Sequence, residues 1–74
     1  MQSTTVESTT LASVRYDEVA RVLELEFRSR IIYQYFDVPP SVNADLLRSA
    51  SKGAFFNQAI RGHYAFSRVP ERRG

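Results

Sequence analysis

The chain has no cysteine and a single histidine, His63, among its 74 residues. No disulfide framework and no thiolate nucleophile are therefore available, and there is no His/Cys cluster of the kind that holds zinc. Freedom from cysteine agrees with a reducing cytoplasm, which is the expected location. Long apolar runs are also missing. None approaches the roughly 18 residues that a membrane-spanning helix needs, and the first residues are polar where a signal peptide would carry an apolar core. The sequence reads as soluble and unexported, with no membrane contact, no metal and no cofactor.

What remains is enough for one domain, near the lower size at which an apolar core suffices by itself. Its charge is unevenly placed. Residues 1–40 carry a net −2 and residues 41–74 a net +4, so any basic surface belongs to the C-terminal half. Such asymmetry fits a polyanionic partner, and it also fits an ordinary solvated surface.

Along the chain, residues 1–5 are polar, mostly Ser and Thr, and bury too little to offset their ordering entropy, so they read as a frayed tail. Residues 6–69 read as a single domain and residues 70–74 as a loose end, with no internal repeat and no linker. Leu11 to Tyr16 reads as a first strand. Leu23, Leu25 and Phe27 alternate with Val22, Glu24 and Glu26 in a second. Ile31 to Phe36 forms a third, closed by Val38-Pro39-Pro40, because consecutive prolines cannot donate to a ladder.

Two hairpins fix the faces. A four-residue loop over residues 17–20 sets Val14 opposite Leu23 and Ala12 opposite Leu25; a three-residue loop over residues 28–30 sets Leu25 opposite Tyr33 and Leu23 opposite Tyr35. One face then collects Ala12, Val14, Tyr16, Leu23, Leu25, Phe27, Ile31, Tyr33 and Tyr35. The other, with Ser13, Arg15, Glu24, Glu26 and Gln34, is expected to be wet. Ser41 reads as the N-cap of a helix to about residue 49, with Val42, Leu46, Leu47 and Ala50 inward. A second short helix over residues 54–61 turns Phe55, Phe56, Ala59 and Ile60 inward, with Gly62 just beyond its end. Tyr64 and Phe66 alternate as an extended segment packing back. The expected architecture is α+β: a three-stranded antiparallel β-meander with two short C-terminal helices packed on one face, over the tyrosines.

Taken in order, Ser8-Thr9, Tyr16-Asp17, Leu23-x-Leu25-x-Phe27, Tyr33-x-Tyr35, Val38-Pro39, Ser51-x-Gly53, Phe56-Asn57, Ile60-Arg61 and Tyr64 resemble the KTSC domain. This short module is named for the C-terminus of some lysyl-tRNA synthetases and also occurs as stand-alone bacterial and phage proteins. The resemblance brings no reaction with it; it implies RNA as the partner to test. Arg30 departs from the pattern, where the family usually has Gly at a loop position taking positive φ, as does Arg15, where it often has Gly.

No catalytic constellation is present. His63 lacks a thiol partner and reads as a surface residue, Asp17-Glu18 as a turn, and Glu24/Glu26 as outward positions of one strand. For RNA, an open sheet platform is disfavoured because the wet face carries Glu24 and Glu26 and the tyrosines are assigned to the core. The expected nucleic-acid site is a basic helical edge: Lys52, Gly53, Asn57, Arg61, His63, Tyr64 and Arg68, with Tyr64 stacking and the Ser51-Lys52-Gly53 turn offering backbone N–H groups to phosphate. Structural roles stand beside these: Ser51 as N-cap, Gly53 as a tight turn, Asn57 bonded to a loop carbonyl, Arg61 paired with Asp17 or Asp37. Tyr33, Tyr35 and Ser51 read as structural members of the family motif. The alternative function is a protein contact or homodimer through Val22, Ile32 and Phe36 on the outer face.

Overall fold

The computed structural model describes residues 2–5 and 10–70. The strands are β1 (Gln2–Thr5), β2 (Leu11–Asp17), β3 (Val22–Phe27), β4 (Ile32–Tyr35) and β5 (Phe66–Val69); α1 (Pro40–Arg48) and α2 (Lys52–Phe55) lie between β4 and β5, with a π-helical turn, Phe56–Ile60, running on from α2. The sheet is an antiparallel meander in the order β1-β2-β3-β4-β5.

The α+β class and the central three strands are as expected, but the sheet has five strands, not three. Residues 2–5, read as a frayed tail, form β1 and pair with Val14 and its neighbours in β2. A burial argument misses such a strand because a backbone ladder holds it at the sheet's edge. The extended segment at Phe66 pairs with β4 as β5. The expected loose end at residues 70–74 lies, apart from Pro70, outside the described residues.

The β3–β4 hairpin has the expected register, with Leu23 opposite Tyr35 and Leu25 opposite Tyr33. Its turn closes through Arg30 N–H to Phe27 C=O at 2.9 Å, and Arg30 takes the left-handed conformation at φ 71°. The β2–β3 register differs from expectation by two residues. Asp17 stays in the ladder opposite Val22, its Oδ1 accepting from the Val19 and Ala20 N–H groups, and Arg21 at φ 56° completes a loop over residues 18–21. Val14 therefore faces Leu25, and Tyr16 faces Leu23. An even slip leaves each side chain on its own face. A bulge between Leu11 and Ser13 then turns Leu11 inward in place of Ala12, and Leu11 is fully buried.

After β4 the chain leaves the sheet through Asp37, at φ 59°, and buries Val38. The Val38 carbonyl accepts from the Tyr16 hydroxyl. Helix α1 starts on proline rather than on a Ser41 cap: Pro39 is the N-cap with no side-chain bond and Pro40 is N1, where a fixed φ and a missing N–H cost nothing. Leu46 is buried and Val42 and Leu47 pack against the core, whereas Ala50, expected inward, is exposed. Ser51 caps α2, its Oγ accepting from the Ala54 N–H at 3.3 Å. The second helix starts two residues earlier than expected and widens at Phe56, where Arg61 N–H bonds to Phe56 C=O at 2.8 Å. Phe56 and Ile60 are buried as expected, and Gly62 follows at φ 80°.

The outer face is drier than expected. Glu24 is only 3% exposed, because the neighbours in its cross-strand row fold over it: Arg15 Nη1 donates to its Oε2 at 3.3 Å and Gln34 Nε2 to its Oε1 at 3.1 Å. Ser13 Oγ donates to Glu26 Oε1 beside them. A carboxylate so enclosed is tolerated because it is paired and hydrogen-bonded.

Candidate nucleic-acid interface

The inner face of the sheet is five strands wide, and its helical cover is short. A nine-residue helix, a four-residue helix and a five-residue π turn leave part of it open. The opening is a groove of about 780 Å³ between the β3–β4 hairpin, β5 and the π turn. Phe27, Tyr33, Tyr35, Phe56 and Phe66 form its aromatic surface. Their rings touch edge to face: Phe27 with Tyr33 at 5.9 Å, Phe27 with Phe56 at 5.3 Å and Tyr33 with Phe66 at 5.5 Å between centroids, at 76° to 80°. This is the geometry aromatic quadrupoles prefer, and it fixes the ring positions.

Both tyrosines belong with the core as expected, Tyr35 inside it and Tyr33 packed against it at the groove. Tyr35 is 4% exposed, and burial pushes its hydroxyl pKa up, with Tyr33 adding to the rise and Arg61 opposing it. Tyr33 is half-buried and lines the groove beside Phe66, which is 60% exposed. An exposed phenylalanine continuous with an aromatic groove is an unfinished surface. Arg28 and Arg61 also line the groove, both exposed, and among the described residues no acidic side chain does.

Of the residues expected at a basic edge, Arg61 is a wall of this groove. It forms an ion pair with neither Asp17 nor Asp37. Arg68 is exposed on β5 opposite Tyr33, so it projects from the groove's face of the sheet. Lys52 is drawn to the α1–α2 junction, its Nζ donating to Ser49 C=O at 3.0 Å. Gly53 packs against Thr10, and Ser51 is engaged as the cap. Asn57 and His63 are exposed, whereas Tyr64 is half-buried and packed against the core. Arg28, Ser29, Gly62 and Phe66 line the groove without having been singled out. The alternation of Tyr64 and Phe66 was the available signal for the last.

On the outer face Val22, Ile32 and Phe36 are each half-buried. Among the described residues no group of three or more His, Cys, Asp or Glu is placed to hold a metal, and no helix is long and apolar enough to cross a membrane.

A short antiparallel meander with two helices on one face and an aromatic groove beside them defines a small α+β domain. Residues 7–72 match the KTSC domain, and the chain belongs to that family. It is 39% identical over 70 residues to an uncharacterised protein of Stutzerimonas stutzeri, covering 93% of this chain and 99% of that one. It is 38% identical over 63 residues to a lysine–tRNA ligase of Nostoc punctiforme; the match takes in 85% of this chain but 11% of the ligase. The crystal structure of a KTSC domain protein from Yersinia pestis superposes with a TM-score of 0.90 at 33% identity, covering 93% of this chain and 97% of that one.

Proposed function

We propose that the chain is a non-catalytic, cytoplasmic binding module that takes single-stranded RNA into the groove between the β3–β4 hairpin, β5 and the π turn. The observation that carries this is an aromatic groove whose described lining holds two arginines and no acid. Bases stack on Tyr33 and Phe66, each such contact contributing about 1–3 kcal/mol. Phosphates meet Arg61 and, further along β5, Arg68. The outer face stays out of the interface because its row is occupied by the Arg15–Glu24–Gln34 network. The similarity to a segment of lysine–tRNA ligases supports the reading, since those are tRNA-handling enzymes that carry this domain.

Fluorescence anisotropy with a labelled single-stranded RNA tests it. Two arginine–phosphate contacts give a slope of log K against log salt of about −1.4, at roughly 0.7 per contact on single strands. That is about a 7-fold loss between about 50 and 200 mM salt. Arg61→Ala reduces the slope by about 0.7, and Phe66→Ala weakens binding with the slope kept. Binding indifferent to both variants and lost in Phe36→Ser places the contact on the outer sheet face and overturns the proposal.

A further inference from the structure

We infer that the β5 edge is a self-association surface, through which the chain pairs with a second copy of itself in one two-fold register centred on Ser67. Among the described residues the sheet ends at β5, with β4 on one side and no strand beyond it. Which backbone groups stand at that edge follows from the ladder. The Phe36 N–H donates to the Ala65 carbonyl at 2.9 Å, and directly opposite pairs alternate between bonded and unbonded along an antiparallel ladder. With Gln34 opposite Ser67 and Ile32 opposite Val69, Ser67 and Val69 turn their N–H and C=O groups toward β4. The hairpin agrees. Phe27 N–H bonds to Ile31 C=O at 2.9 Å, which assigns the groups of Tyr33 and Tyr35 to β3 and leaves those of Ile32 and Gln34 for β5. Phe66 and Arg68 therefore present their backbone groups outward, a template for another strand. Pro70 falls in the same outward phase, where its missing N–H costs no bond to β4.

A second copy fits this edge in detail. Antiparallel pairing about Ser67 sets Phe66 opposite the second copy's Arg68, and Arg68 opposite its Phe66, so every outward N–H and C=O of β5 gains a partner. Neighbouring registers do worse. A shift one way sets Arg68 opposite Arg68, like charges, and Phe66 opposite Pro70, which has no N–H to give. A shift the other way sets Arg68 opposite Tyr64, which lies in the bend before β5 and packs against the core. The side chains agree with the central register. On the groove face Phe66, 60% exposed and edge to face with Tyr33, comes beside the second copy's Arg68, within reach of a cation–π contact. On the outer face Val69 meets Ala65, and Ser67 meets Ser67. Each copy thus adds an arginine to the rim of the other's groove, and both grooves lie on one face of a continuous sheet. The ladder is short, so the contact belongs to the weak, concentration-dependent class.

Sedimentation equilibrium of the full chain, from about 10 µM to about 1 mM, tests it. No RNA is present, so the outcome is separate from that of the RNA reading. The expected result is a monomer–dimer equilibrium. Ser67 is exposed and meets its own copy at an unbonded position, where side chains stand closest. Ser67→Lys and Ser67→Glu should therefore each weaken the dimer, and mixing the two should give a heterodimer about ten-fold tighter than either variant alone. A recovered heterodimer also shows that both variants fold. A parent still monomeric at about 1 mM, variants that dimerise as the parent does, or variants that fail to recover on mixing overturn the inference. So do oligomers that keep growing with concentration, the mark of head-to-tail pairing.

Discussion

Replacing Gly53 by alanine sets a local gain against a tertiary cost, and the distances decide the sign. Gly53 is the second residue of α2 and its backbone lies outside the left-handed region, so alanine fits its conformation. Helix propensity alone favours the change by about 1 kcal/mol. The new Cβ, however, would stand 2.6 Å from Thr10 Oγ1 and 3.2 Å from Thr10 Cβ. Rotating the hydroxyl away relieves the first contact but not the second, and Thr10 cannot simply retreat, because its carbonyl accepts from the Arg28 N–H at 3.0 Å. Overpacking of this kind costs about 1–3 kcal/mol. The net expectation is a loss of about 1 kcal/mol, or about 4–8 °C in Tm for a domain of this size. In a Thr10→Ala background the closest atom is gone and only the 3.2 Å contact remains, so the cost of Gly53→Ala should shrink by about 1 kcal/mol. Thermal and urea denaturation followed by circular dichroism on the four proteins of this cycle measures both quantities. A Gly53→Ala protein as stable as its parent, or a cost equal in the two backgrounds, refutes the argument.

Other outcomes follow from the same packing. Leu25 is fully buried at the centre of the sheet, so Leu25→Ala should cost about 2–5 kcal/mol and leave little folded protein at ambient temperature; an unchanged melting temperature would mean that the face assignment is wrong. Arg30→Gly should raise stability, by up to about 1 kcal/mol, since a side chain now sits at φ 71°; a lower denaturation midpoint would show that the arginine contributes more than its strain costs. Burial, the first cause, raises the pKa of both Tyr16 and Tyr35. The fold thus favours their neutral forms, a contribution fully present below about pH 10 and lost as pH rises beyond it, because the unfolded chain ionises first. Urea midpoints should fall on that alkaline limb, and Tyr16→Phe should flatten it.

The β3–β4 hairpin was legible because Leu23, Leu25, Phe27, Tyr33 and Tyr35 keep a strict period of two and a three-residue turn joins them. The Ser51 cap and the Gly62 stop were legible for similarly local reasons. The rest needed tertiary information. One bulged residue, Ala12, exchanges Leu11 for its neighbour in the core, and no local preference marks it. β1 is held by its ladder to β2, so hydrophobic patterning could not show it. Glu24 looks solvated in an alternating strand and is buried only because Arg15 and Gln34 fall in the same cross-strand row. The groove was hidden by a sound but incomplete inference. The tyrosines do share the helical face, but helices this short do not span it, so Tyr33 lines a groove beside the exposed Phe66, and Arg28 of the hairpin turn lines it too.

The most direct test of the central claim is an amide chemical-shift titration of the labelled protein with a mixed single-stranded RNA at low and near-physiological salt. Binding in the groove predicts shifts concentrated on Arg28, Tyr33, Arg61, Gly62 and Phe66 that fade as salt rises. Shifts confined to Val22, Ile32 and Phe36, or none at low salt, would contradict it.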